Sequence, residues 1–98
     1  MRSLEDIKRI LEKHKDVLRK EYKVREIGIF GSFVRGEEKE RESYVDILVD
    51  LDDSIGLLKF VEMENYLTDL LGVKVDLVMK SALKPRIGER ILKEVIYV

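Results

Sequence analysis

Two hydrophobic periods alternate along the chain and divide it into six predicted elements. From Ser3 to about Lys20, Leu4, Ile7, Leu11 and Leu18 recur on one helical face with Ile10 and Val17 beside them, while the other face is Lys, Arg and Glu. Ser3 and Asp6 have capping-box-like spacing at its start. Val24 to Phe30 switches to a strand period, with Ile27 and Ile29 on one side and Gly31-Ser32 as the turn that ends it. A polar loop follows from about Val34 to Glu42. Ser43 to Asp50 reads as a second strand, in which Val45, Ile47 and Val49 point one way and Tyr44, Asp46, Leu48 and Asp50 the other. Asp52, Asp53 or Ser54 is placed to cap a helix from about Gly56 to Leu71, with Leu58, Val61, Leu67, Leu70 and Leu71 at helical spacing before Gly72 stops it. Lys74 to Met79 alternates as a third strand, and a last helix starts near Pro85 and carries Ile87, Ile91, Leu92 and Val95 inward. The order α-β-β-α-β-α predicts an α+β fold.

Composition narrows the class. At 98 residues with 45% hydrophobic content, the chain is sized for one compact domain with one core, and residues 1–98 are expected to form a single minimal module. Nineteen basic against 20 acidic residues give a net charge of -1, so no global field draws the chain to nucleic acid or an anionic membrane; contact with a polyanion must be local. The absence of cysteine excludes disulfides and thiolate metal sites, and no apolar N-terminal run marks a signal or a membrane span, so a cytoplasmic location is expected. Charged residues make up 40% of the chain, glutamine is absent and Asn65 is the single asparagine, a composition similar to that of heat-resistant proteins.

Three positions stand out chemically. Asp46 sits among Val45, Ile47, Leu48 and Val49, where an unpaired charge is costly and needs a reason to be present. Asp76 lies at the equivalent depth of the next strand if the two strands pair. Gly31-Ser32 suits phosphate binding, because glycine lets the backbone approach closely while a hydroxyl and backbone N–H groups donate to phosphate oxygens. Arg35, three residues on, has the planar fork that pairs with phosphate. His14 reads as a packed or partly solvated helix residue, and Tyr22, Tyr66 and Tyr97 as packing residues.

Gly31-Ser32-Phe33-Val34-Arg35-Gly36-Glu37 followed by Ser43-x-x-Asp46 resembles the signature of the polymerase-β-like nucleotidyltransferases, and especially their minimal (MNT) branch, which includes the MntA-like antitoxins of HEPN/MNT pairs. The resemblance covers about residues 24 to 80 well. It implies a nucleotidyltransferase fold, a small mixed β-sheet with helices packed against it. It further implies a site of three carboxylates holding Mg²⁺, two in an Asp-x-Asp and one on the following strand, with ATP as the substrate. Carried over by position, Asp46 is the second of these and Asp76 the third, both catalytic and metal-binding; Gly31, Ser32 and Arg35 bind the nucleotide. The first position is Tyr44.

A phenol does not replace that carboxylate, since it is neutral near pH 7 and offers one oxygen rather than two. Asp50 shares the face of Asp46 but lies roughly 13 Å along the strand at about 3.3 Å per residue, and Glu42 lies equally far the other way. The family implies a protein adenylyltransferase that passes AMP to a tyrosine of a HEPN-domain toxin, with neither membrane nor stable nucleic-acid binding and with self-association left open. The contrasting class is a degenerate nucleotidyltransferase fold that neutralises its partner by docking. Tyr44 favours the second reading; the retained Asp46, Asp76, Gly31 and Ser32 favour the first.

Overall fold

The computed structural model describes residues 3–36 and 44–98. Two short helices, α1 (Leu4–Lys13) and α2 (Lys15–Tyr22), lead into β1 (Val24–Phe30), a single helical turn α3 (Ser32–Arg35) and β2 (Tyr44–Leu51). There follow α4 (Gly56–Leu71), β3 (Lys74–Met79), a 3₁₀ turn (Lys80–Ala82), α5 (Pro85–Glu94) and a two-residue β4 (Ile96–Tyr97). The sheet order is β3-β2-β1-β4; β2 and β3 run parallel and the other pairs antiparallel, so the sheet is mixed and the fold is of the expected nucleotidyltransferase type.

The alternation in the strands decides what each sheet face does. Ile27, Ile29, Val45, Ile47, Val49, Val75 and Leu77 form one face and are buried against Ile7, Leu11, Leu18, Met63, Leu67 and Leu71 of α1, α2 and α4. Fully burying each such side chain contributes about 1.5–3 kcal/mol, which makes this layer the main source of stability. The opposite face carries Phe30, Asp46, Leu48, Asp76 and Val78, and α5 lies across it. On the outer edge of β3, the N–H groups of Val75 and Leu77 donate to Thr68 Oγ1 (3.2 Å) and Glu64 Oε2 (3.1 Å) of α4, which satisfies donors an edge strand otherwise exposes.

Several expectations are corrected. The first helix is broken at His14: its backbone N–H bonds to the Leu11 carbonyl at 3.1 Å, and its ring Nδ1 donates to the Ile10 carbonyl at 2.8 Å, taking the acceptor that its own N–H would use in a continuing helix. The Ser3–Asp6 capping box does form. Val34 and Arg35 belong to α3 rather than to a loop; the remainder of that predicted loop, with Glu42 and Ser43, lies outside the described residues. Neither Asp52, Asp53 nor Ser54 caps α4, whose N-cap position is Ile55; Asp53 instead accepts from the Ser54 N–H at 2.8 Å. Leu58 and Val61 face outward, because α4 turns Met63, Leu67 and Leu71 to the sheet. Ile87 and Leu92 are likewise exposed, since α5 covers the site face over an open cleft rather than a second core. Strand β4 is too short for any period to reveal. It is admitted by Gly28, where a Cβ would stand 2.6 Å from Val95 Cγ2.

Lys23 ends α2 in the left-handed region, at φ 58 and ψ 31. A side chain there costs about 1 kcal/mol that glycine avoids. Lys23→Gly should therefore raise stability by about 0.5 kcal/mol after the larger entropy of the unfolded glycine chain is counted. Urea denaturation checks this, and the midpoint should move up with an unchanged slope.

Candidate active site

Parallel pairing of β2 with β3 places Asp46 opposite Asp76, and antiparallel pairing of β2 with β1 places Asp46 opposite Phe30, the residue before Gly31. The two carboxylates thus share one sheet face beside the Gly31-Ser32 turn, as the strand parity predicts. Gly31 is required here on two grounds: its φ is 79, and a Cβ would collide with the Asp46 carboxylate. The carbonyl of Gly31 accepts from the N–H groups of Val34 (3.0 Å) and Arg35 (3.1 Å), which winds α3 and brings Arg35 back over the cleft.

The cleft has a volume of about 300 Å³, between the ends of β1, β2 and β3 and the face of α5 that carries Ile87, Arg90, Ile91 and Glu94. A larger, mainly apolar groove of about 640 Å³ lies elsewhere, between the end of β2 and the start of α4, and contains none of these acids. Size therefore does not identify the chemistry. Asp46 does: burial pushes its carboxyl up to about 6, Asp76 and Glu94 add like charge, a hydrogen bond between the Asp46 and Asp76 carboxyls favours the protonated form, and only Arg35 opposes the shift.

Tyr44 lies two residues before Asp46 on β2, half exposed and outside the residues that line the cleft, opposite Lys74 of β3, whose Nζ lies 5.8 Å from the centroid of its ring. Asp50 is committed to Arg25 at 2.9 Å and does not reach the pair. Among the described residues, no group of three or more His, Cys, Asp or Glu side chains is placed to hold a metal ion. His14 and Tyr22 belong to the α-helical side, where both rings pack near Tyr66.

Glu94 is the site residue that strand periodicity did not reveal. Its Oε1 accepts from the Gly31 N–H at 3.1 Å, and both of its oxygens accept from Arg35 Nη1, at 3.0 and 2.9 Å. The signal for it was present only as helical spacing, because Ile87, Arg90, Ile91 and Glu94 recur on one face of α5.

A sheet of this order, with paired aspartates beside a Gly-Ser turn, defines the nucleotidyltransferase class, and comparison with known proteins agrees. The family profile described as "Nucleotidyltransferase domain" matches residues 11–98, and the chain belongs to that family, in its minimal MNT branch with the MntA-like proteins. Family membership classes it with the nucleotidyl-transferring enzymes. It is 58% identical over 98 residues to the protein adenylyltransferase MntA of Thermococcus cleftensis, covering 100% of this chain and 98% of that one. It is 50% identical over 99 residues to MJ1217 of Methanocaldococcus jannaschii, covering both chains fully. Among solved structures, a minimal nucleotidyltransferase aligns with a TM-score of 0.77 at 33% identity, over 97% of this chain and 95% of that one. A toxin–antitoxin structure with AMP-PNP aligns with a TM-score of 0.73 at 24% identity, over 88% of this chain and 69% of that one, a likeness of fold. No helix among the described residues is long and apolar enough to cross a membrane.

Proposed function

We propose that this chain is a nucleotidyltransferase-fold antitoxin that binds Mg²⁺-ATP and directs AMP to a tyrosine of a HEPN-domain partner. The observation that carries the reading is the direct pairing of Asp46 with Asp76 beside Gly31. It is supported by the identity with a protein adenylyltransferase and by the fold shared with toxin–antitoxin structures, one of which contains a tri-AMPylated HEPN toxin of Shewanella oneidensis with its MNT antitoxin.

The donor set fits Mg²⁺, which prefers hard oxygen ligands, and the like-charge crowding at Asp46 is what a cation would relieve. Asp46 and Asp76 would hold it; bound there, it would neutralise charge on the phosphates during transfer. Gly31 lets the backbone come close while its own N–H is held by Glu94, Ser32 offers a hydroxyl and a backbone N–H to the triphosphate, and Arg35 adds a guanidinium. In the overall transfer, the tyrosine oxygen bonds to the α-phosphorus, the bond to pyrophosphate breaks, and the phenolic proton is released.

Tyr44 sets the balance between catalysis and docking. Without a carboxylate at this position, nucleotide binding is retained better than turnover. Docking alone is favoured by the same residue, because a half-exposed tyrosine beside Lys74 offers a partner contact and no metal ligand. Calorimetry with ATP and Mg²⁺ tests the shared basis of both outcomes for the site. Binding at millimolar concentration or tighter, about -4 kcal/mol or better, is expected. No heat of binding at that concentration would remove the phosphate-site assignment.

A further inference from the structure

We infer that Arg90 of α5 is a second phosphate-binding residue, which grips the outer phosphates of the nucleotide from across the cleft. The inference rests on the nucleotide reading above and adds a residue that the Gly-Ser and Asp-x-Asp pattern does not contain. Two guanidiniums line the cleft, Arg35 and Arg90. Arg35 is held by Glu94, with one nitrogen on both carboxylate oxygens at 3.0 and 2.9 Å. Arg90 is exposed and has no ion pair among the described residues.

Charge makes this difference consequential. The cleft contains three acids, Asp46, Asp76 and Glu94, against two arginines, one of them already neutralised. A triphosphate brings about four further negative charges, of which a cation on the aspartates offsets about two. The rest needs a positive group that is not engaged, and a planar fork on phosphate is the strong form of that contact. Arg90 lies one helical turn before Glu94, which meets Gly31, and shares its face with Ile87 and Ile91, so it lines the cleft from the wall that α5 forms. An arginine on that wall with no ion pair among the described residues, beside an acid that would otherwise repel the nucleotide, is placed to attract the phosphates and hold their outer end. Selection of ATP over AMP follows, because the contact grows with the number of phosphates.

The test compares ATP and AMP binding, with Mg²⁺, by the parent chain and by Arg90→Ala, Arg90→Lys and Arg35→Ala. Arg90 is exposed and has no ion pair among the described residues, so its variants should keep the parent melting curve; Arg90→Gln serves if the alanine form does not. Arg90→Ala should weaken ATP by about tenfold or more, the equivalent of about 1.4 kcal/mol, and AMP by less than about threefold, with Arg90→Lys in between. ATP affinity within about twofold of the parent, while Arg35→Ala loses binding, would overturn the role of Arg90 and leave the site reading intact. Equal losses for ATP and AMP would overturn it as a grip on the outer phosphates. If the parent binds neither nucleotide, the site reading fails and this inference with it.

Discussion

Replacing Tyr44 with aspartate should raise AMP transfer by about a thousandfold. Position 44 is two residues before Asp46 on the same face of β2, so a carboxylate there enters the site beside the Asp46–Asp76 pair. A second divalent cation held between such carboxylates contributes several kcal/mol to the transition state, and about 4 kcal/mol corresponds to a thousandfold in rate. The fold should tolerate the change. Tyr44 is 50% exposed and its recorded ring contact is with Lys74, which would next face an aspartate of opposite charge. A change in stability within about 0.5 kcal/mol is expected. Initial rates with radiolabelled ATP and a cognate HEPN partner measure the gain, and a rise of less than about tenfold would show that position 44 is not what limits transfer.

The second large effect has opposite signs for function and for folding. Asp46→Asn, made in the Tyr44→Asp protein, should remove transfer, because the amide keeps the shape and loses the charge that a hard cation requires. The same substitution should stabilise the protein at neutral pH. The folded-state value of Asp46 is raised to about 6, so the folded protein favours its protonated form. Its contribution is fully present below the unfolded value of about 3.9 and is lost as pH rises through about 6. The shift would correspond to about 3 kcal/mol if fully buried, and solvent screening of this partly exposed group reduces it to about 1 kcal/mol. Asp46→Asn should therefore be about 1 kcal/mol more stable than the parent at pH 7, with the difference vanishing near pH 4. Urea unfolding at the two pH values reads it, and an asparagine form that is less stable at pH 7 would contradict the strained-pair account. Loss of activity with gain of stability is the expected mark of a site built for a ligand.

Much of this site was legible because strands have a period of two. Asp46 interrupts an apolar strand and Asp76 occupies the matching depth of the next, so a parallel pairing was enough to bring them together. The Gly31-Ser32 turn followed from where β1 loses its apolar residues. Glu94 and Arg90 were not legible as site residues, since only tertiary packing lays α5 over the far face of the sheet, and Glu94 meets Gly31 from 63 residues away. The outward Ile87 has the same cause: helical spacing marked a hydrophobic stripe, but its packing against an open cleft is a property of the assembled fold. The break at His14 arises from one side chain competing for one carbonyl, which a hydrophobic period does not register.

The most direct measurement is the intact mass of the cognate HEPN partner after incubation with ATP, Mg²⁺ and each of three proteins: the parent, Tyr44→Asp, and Tyr44→Asp with Asp46→Asn. The account predicts an AMP adduct on a partner tyrosine with Tyr44→Asp, little with the parent, and none when Asp46 is also changed. It would be contradicted if the Tyr44→Asp protein bound Mg²⁺-ATP and the partner yet left the partner's mass unchanged, while the Tyr44 parent neutralised that partner fully.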